Sequence, residues 1–211
     1  MTSLVLYAIV DRAPRGTLGK GLSVVRAAGT HVVVERGTAR EVTAASVRAY
    51  DRVVRRISRA CDAVLPFRFG SVVSDRSALA SLLEPIADAV ERSLALVRGC
   101  VQYTIRVHGR AAAIAPSRGK GPGTRFLDAR LAAQRVVEIA PVTAAVAPYV
   151  RATRVQRHDR PPLLASVYHL VAREDLRRYR AALAKSTALL AKSVRITPTG
   201  PWPPYAFAEV P

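Results

Sequence analysis

Disulfides, metal clusters and redox pairs find little material in this sequence. Its 211 residues contain two cysteines, Cys61 and Cys100, each at the edge of an apolar segment and without a partner at metal-ligand spacing. Both are expected to be buried and reduced. Aromatic residues are also scarce, at 6%, with one tryptophan and one methionine, so a core has to be built from Ala, Val and Leu. Acidic residues are the third shortage: 15 Asp and Glu against 33 Lys and Arg leave a formal net charge of +18. No apolar run approaches the roughly 20 residues that a transmembrane helix needs, so no membrane span is expected. The opening MTSLVLYAIVDRAPRG has no basic segment ahead of its apolar run, which ends at Asp11. It reads as a first strand and not as a signal peptide, which makes the cytoplasm the expected setting. At this length the chain can bury a core unaided, as one large or two small domains.

Patterns that carry chemistry are missing as well. A phosphate loop needs G-x-x-x-x-G-K-[ST], because backbone amides cradle the phosphates and the hydroxyl holds the metal ion. SRGKGPG and GTLGKG place Gly121 and Gly21 where that hydroxyl belongs. The four histidines, His31, His108, His158 and His169, are scattered and are expected at or near the surface; the adjacent His158 and Asp159 do not have the spacing of a catalytic pair. Glu174 and Asp175 suit the first turn of a helix, where the dipole favours carboxylates. No catalytic residue, metal ligand or cofactor is assigned, and an enzyme is not expected. An RNA-recognition strand would need the aromatic and basic pattern of RNP1, of which LPFRFG has only the aromatic spacing. The arginine excess suits acidic partners, yet a GC-rich coding bias raises Arg, Ala and Val together, so charge alone does not make nucleic acid the expected partner.

The elements follow from periodicity. Residues 3–10 read as a buried strand, and LSVVRAA and THVVVERG as two more joined by a hairpin at Ala28 and Gly29. From the N-cap Thr43 a helix places Val47, Tyr50, Val54, Ile57 and Cys61 on one side and Arg48, Arg52, Arg55, Arg56 and Arg59 on the other, a basic stripe about 17 Å long. That stripe is either a solvated outer face or a platform for an acidic partner. Next, Pro66, Phe67, Phe69 and Gly70 fall in an extended segment with both phenylalanines on one face and Arg68 on the other. A second helix, capped by Ser77 and kinked by Pro85, runs to Gly99. CVQYTIRVHG alternates as a strand with one wet face, residues 109–123 form a mobile loop, and a helix starting near Thr124 turns Phe126, Leu127, Leu131 and Val137 inward and weakens at Pro141. Beyond it Arg151, Arg154 and Arg157 continue the basic character, followed by a strand, a helix burying Leu176, Tyr179, Leu183 and Leu190, and a short strand SVRIT. The order β, α, β, α, β from Cys100 suggests a ferredoxin-like sandwich. The tail TGPWPPYAF then gathers Trp202, Tyr205 and Phe207 among stiffening prolines, an arrangement made to lie in a groove as a strap over the fold. Its P-x-x-P matches, PTGP and PWPP, are too short to mark an SH3-type ligand.

Three stretches together, LYAIV, VLPFRFG and above all TGPWPPYAF (Gly200, Pro201, Trp202, Pro203, Pro204, Tyr205 and Phe207 within it), resemble the gas vesicle protein F/L family. LVRGCVQYTIRV and GPGTRFLDAR are similar to two further family segments, and the likeness extends over nearly the whole chain. The chain departs from the family pattern at Gln102 for Glu, Phe126 for Tyr, Ala206 for Ser, Arg106 for Lys, and at Tyr50 and Asp51 where many members have a His. The resemblance implies an α/β (α+β) protein in two parts. A β-rich α/β N-terminal domain (1–98) and a modified ferredoxin-like C-terminal domain (99–197) are joined by a Pro/Trp tail (198–211) packing back. It further implies a non-enzymatic accessory or minor structural protein of the gas vesicle. Its partners would be the small hydrophobic shell protein and other gas vesicle accessory proteins, and its task to assist nucleation and assembly. The competing expectation is a basic ferredoxin-like nucleic-acid module, which predicts binding with a steep salt dependence.

Overall fold

The computed structural model of the chain describes residues 3–14, 16, 18–109 and 136–208. Its mixed α/β architecture contains two antiparallel sheets with helices and divides into two units, one of Met1–Val101 with Trp202–Pro211, the other of Gln102–Pro201.

In the first unit, strand β1 (Leu4–Val10) is buried at all seven positions, as an interior strand covered on both faces must be. It lies between β3 (Thr30–Arg36) and β4 (Val64–Pro66) in the order β2-β3-β1-β4, with β2 (Leu22–Ala27) outermost and the short β5 (Val72–Val73) also paired to β1. The hairpin forms where the sequence places it: Ala27 pairs with Thr30 across a two-residue turn in which Ala28 has φ 44° and Gly29 φ 76°. Helix α1 (Ala44–Ala60) sits on one sheet face, burying Tyr50, Val54 and Ile57 against Val5, Tyr7, Val10 and Val33. The strand residues that alternate with these, Leu6, Ile9, Val32, Val34 and Leu65, are buried outside that cluster. Helices α2 (Arg76–Leu83) and α3 (Ala87–Val97) contact β2 and β4 and cover that second face.

Three local expectations change here. Val47 is 41% exposed, at the rim of the α1 face and not in it. The cap of α2 is Asp75, whose carboxylate accepts the Ala78 amide at 2.9 Å, two residues ahead of the expected Ser77 cap. Pro85 does more than kink the helix: without an amide to donate, it turns Glu84–Ile86 into a 3₁₀ segment that separates α2 from α3.

In the second unit, β6 (Cys100–Gly109), β7 (Val150–Arg157), β8 (Leu163–Ala172) and β9 (Val194–Trp202) form a sheet in the order β7-β8-β6-β9. Among the described residues, helices Ala140–Val146 and Leu176–Thr187 give a β-α-β-β-α-β order, one strand more than the periodicity suggests. The added strand is β7, which carries Arg151, Arg154 and Arg157 and pairs antiparallel with β8 along its length. Strand β6 has no wet face. Gln102 and Thr104 are buried and bonded to each other (3.1 Å), leaving Arg106 as its exposed residue. Pro141 stands in the first turn of helix Ala140–Val146, where its missing amide costs nothing, so it starts a helix; Val137, expected inward, is 57% exposed. The loop expected at 109–123 and the helix start near Thr124 fall, beyond Gly109, outside the described residues. Strand β9 runs through Pro198 and Pro201 to Trp202, which its position at the sheet edge permits. His169, expected near the surface, is buried at 1% exposure, its Nδ1 2.9 Å from the Tyr179 hydroxyl.

Candidate partner-binding site

The site is built on α1. Thr43 opens the helix with a capping box: its hydroxyl accepts the Ser46 amide (3.1 Å) and the Ser46 hydroxyl accepts the Thr43 amide (3.0 Å). The inward face is fixed by Tyr50. Its ring stacks on Tyr7 at 4.9 Å and 17°, and its hydroxyl proton is shared among the carbonyl oxygens of Phe67 (2.9 Å), Tyr7 (3.1 Å) and Leu6 (3.2 Å). Burial of this phenol pushes its pKa upward, so it remains a donor at any working pH.

The VLPFRFG stretch and the tail both converge on this helix. Pro66 and Phe67 are buried, and the Phe67 amide donates to the Tyr7 carbonyl at 3.0 Å. Phe69 is half-buried and meets Tyr50 edge-on at 5.5 Å. Gly70, at φ 89°, makes the exposed turn that lets the chain return to β5. In the tail Gly200 and Pro201 are exposed, Pro203, Pro204 and Phe207 are buried, and Trp202 and Tyr205 are half-buried. Tyr205 donates to Asp51 Oδ1 (3.1 Å), and burial, with the Asp51 carboxylate adding to it, raises its pKa.

These contacts divide the basic stripe. Arg55 binds the other Asp51 oxygen through Nε at 2.6 Å and lays its guanidinium over the Trp202 ring, 4.1 Å from the centroid. Arg56 donates from Nη1 to the Leu18 carbonyl at 2.8 Å. Arg48, Arg52 and Arg59 are exposed, and among the described residues no carboxylate pairs with them. They fall within about 40° around the helix axis. The available cationic row is therefore these three, while Arg55 and Arg56 hold the unit to itself. Asp51 is the residue the stripe reading overlooks; its signal is the spacing to Arg55, an i,i+4 acid–base pair in the favourable order.

Among the described residues no group of three His, Cys, Asp or Glu side chains could hold a metal ion, and no helix is long and apolar enough to cross a membrane. The arrangement can hold an anionic surface.

The model of one protein family, described as Gas vesicle synthesis protein GvpL/GvpF, matches residues 3–209. Among solved structures, the gas vesicle protein GvpF from Anabaena sp. PCC7120 is similar with a TM-score of 0.77 at 14% identity, over 100% of this chain and 98% of that one. GvpF from Microcystis aeruginosa is similar with a TM-score of 0.76 at 14% identity, over 100% of both chains. At that identity the likeness is one of fold. A search of curated proteins returns no match.

Proposed function

The chain belongs to the gas vesicle synthesis protein GvpL/GvpF family, and from that premise we propose that it is a non-enzymatic accessory or minor structural protein of the gas vesicle. In this reading it works in the cytoplasm and at the vesicle, binds the small hydrophobic shell protein, and assists nucleation and assembly of the shell alongside other gas vesicle accessory proteins. The family match along nearly the whole chain is the observation that carries the reading. The surface of α1 supports it physically. Arg48, Arg52 and Arg59 stand together without acidic partners among the described residues, and Val42 and Val47, 81% and 41% exposed, add apolar footing at the helix start. Arginines so placed engage acidic side chains and set orientation and on-rate, while the apolar contact shields an aggregation-prone segment of the shell protein.

Charge reversal tests the mechanism. The variant Arg48→Glu, Arg52→Glu, Arg59→Glu, melting like the parent, is expected to bind the shell protein at least about tenfold more weakly, with a flatter salt dependence. Unchanged affinity and salt response would make the row a solvated face only.

A further inference from the structure

We infer that the arginine row of α1 docks into a cleft on a second copy of this chain, so that copies associate head to tail. Both surfaces belong to the first unit. The cleft, about 430 Å³, opens beside α3, between it and the Ala28–Gly29 turn, over a floor that includes Val10 and Leu94. Three carboxylates line it, Asp11, Asp88 and Glu91, against one guanidinium, Arg98, with His31 at the hairpin end. Asp11 is spent internally: one oxygen accepts from Arg98 at 2.9 Å and the other from the Ala63 amide at 3.2 Å. Asp88 and Glu91 are exposed, and among the described residues no cation pairs with either.

Complementarity selects the pairing. Copies carrying +18 each repel one another over most orientations, and an approach is favoured where gathered acids meet gathered arginines. Asp88 and Glu91 are three residues apart on one helix and Arg48 and Arg52 four apart on another, separations of roughly 5–6 Å in both cases, so two Arg–carboxylate contacts form together. Because α1 covers one face of the sheet and α3 the other, the same copy offers the donor row on one side and the acceptor cleft on the opposite side. Such a contact is heterologous and does not close on a two-fold axis; it propagates as a row. The shell protein and a second copy are then alternative occupants of the arginine row, and the test omits the shell protein so that this inference and the proposed function fail separately.

The full chain, nuclease-treated, is followed by sedimentation velocity across a concentration series at about 0.05 M and about 0.5 M salt. The expected result is a mass that rises above the monomer with concentration at low salt and returns to it at high salt. Two variants, Arg48→Glu/Arg52→Glu and Asp88→Arg/Glu91→Arg, are each expected to remain monomeric alone and to associate when mixed, since one then carries two acidic surfaces and the other two basic ones. A wild-type monomer at every concentration overturns the inference. So does association that survives either reversal, or a mixture of the two variants that stays monomeric.

Discussion

Three carbonyl oxygens, from two strand residues and one loop residue, converge on the hydroxyl of Tyr50, and that single group ties α1 to β1 and to the VLPFRFG stretch. Tyr50→Phe keeps the stack on Tyr7 and removes the one hydroxyl donor that these buried carbonyls share, so it is expected to lower unfolding stability by about 1–3 kcal/mol in denaturant titrations; an unchanged midpoint would contradict this. In the tail, burial ranks the residues. Phe207 is 1% exposed and Trp202 only half-buried under Arg55, so Phe207→Ala should cost about 3–5 kcal/mol and Trp202→Ala clearly less. The reverse order would mean that the Arg55 contact, and not burial, anchors the tail.

His169 gives the molecule a predictable acid response. Burial holds its pKa down at about 4, below the ordinary 6.5, so the folded state keeps it neutral. Its contribution is complete above pH 6.5 and is lost as pH falls from there toward 4, where the unfolded chain takes up a proton that the folded chain refuses. The slope is about 1.4 kcal/mol per pH unit, on the order of 3 kcal/mol in all. His169→Gln is expected to flatten this part of the stability curve between pH 7 and pH 4.5. Parallel losses in the parent and the variant would assign the acid sensitivity elsewhere.

Among the elements, the β2–β3 hairpin carries a correctable strain. Ala28 occupies the left-handed region at φ 44° in a turn whose geometry favours Asn-Gly. Ala28→Asn is expected to raise stability by up to about 1 kcal/mol, and a lowered melting temperature would exclude the turn assignment. The hairpin, α1 and the tail were legible because each combines periodicity with a terminal signal: Ala28-Gly29, Thr43, or prolines around a tryptophan. Strand β7 was not, since VRATRVQR spaces its few apolar residues irregularly among arginines, and only its pairing with β8 reveals it. The sequence has a helix weaken at Pro141 because proline lacks an amide to donate; that Pro141 opens a helix depends on the 3₁₀ turn before it, which periodicity does not report. The arginine stripe was visible in the sequence, but its division was not. Which arginines remain available depends on Asp51, Trp202 and the Leu18 carbonyl, and two of these lie 38 or more residues away along the chain.

At the scale of the whole molecule, a +18 chain spends some of its arginines on internal contacts and presents others at its surface. Membership in the GvpL/GvpF family is the ground for the proposal that this charge serves at the gas vesicle, and the proposal that it holds the shell protein is open to direct measurement. Co-expression of the two proteins, followed by nuclease treatment and a pull-down near 0.15 M and at about 0.5 M salt, separates apolar from screened charge contacts. The account predicts recovery of the shell protein at both salts, reduced at the higher one. Loss of the shell protein at both, with nucleic acid recovered before nuclease treatment, would contradict it and mark the chain as a basic nucleic-acid-binding module.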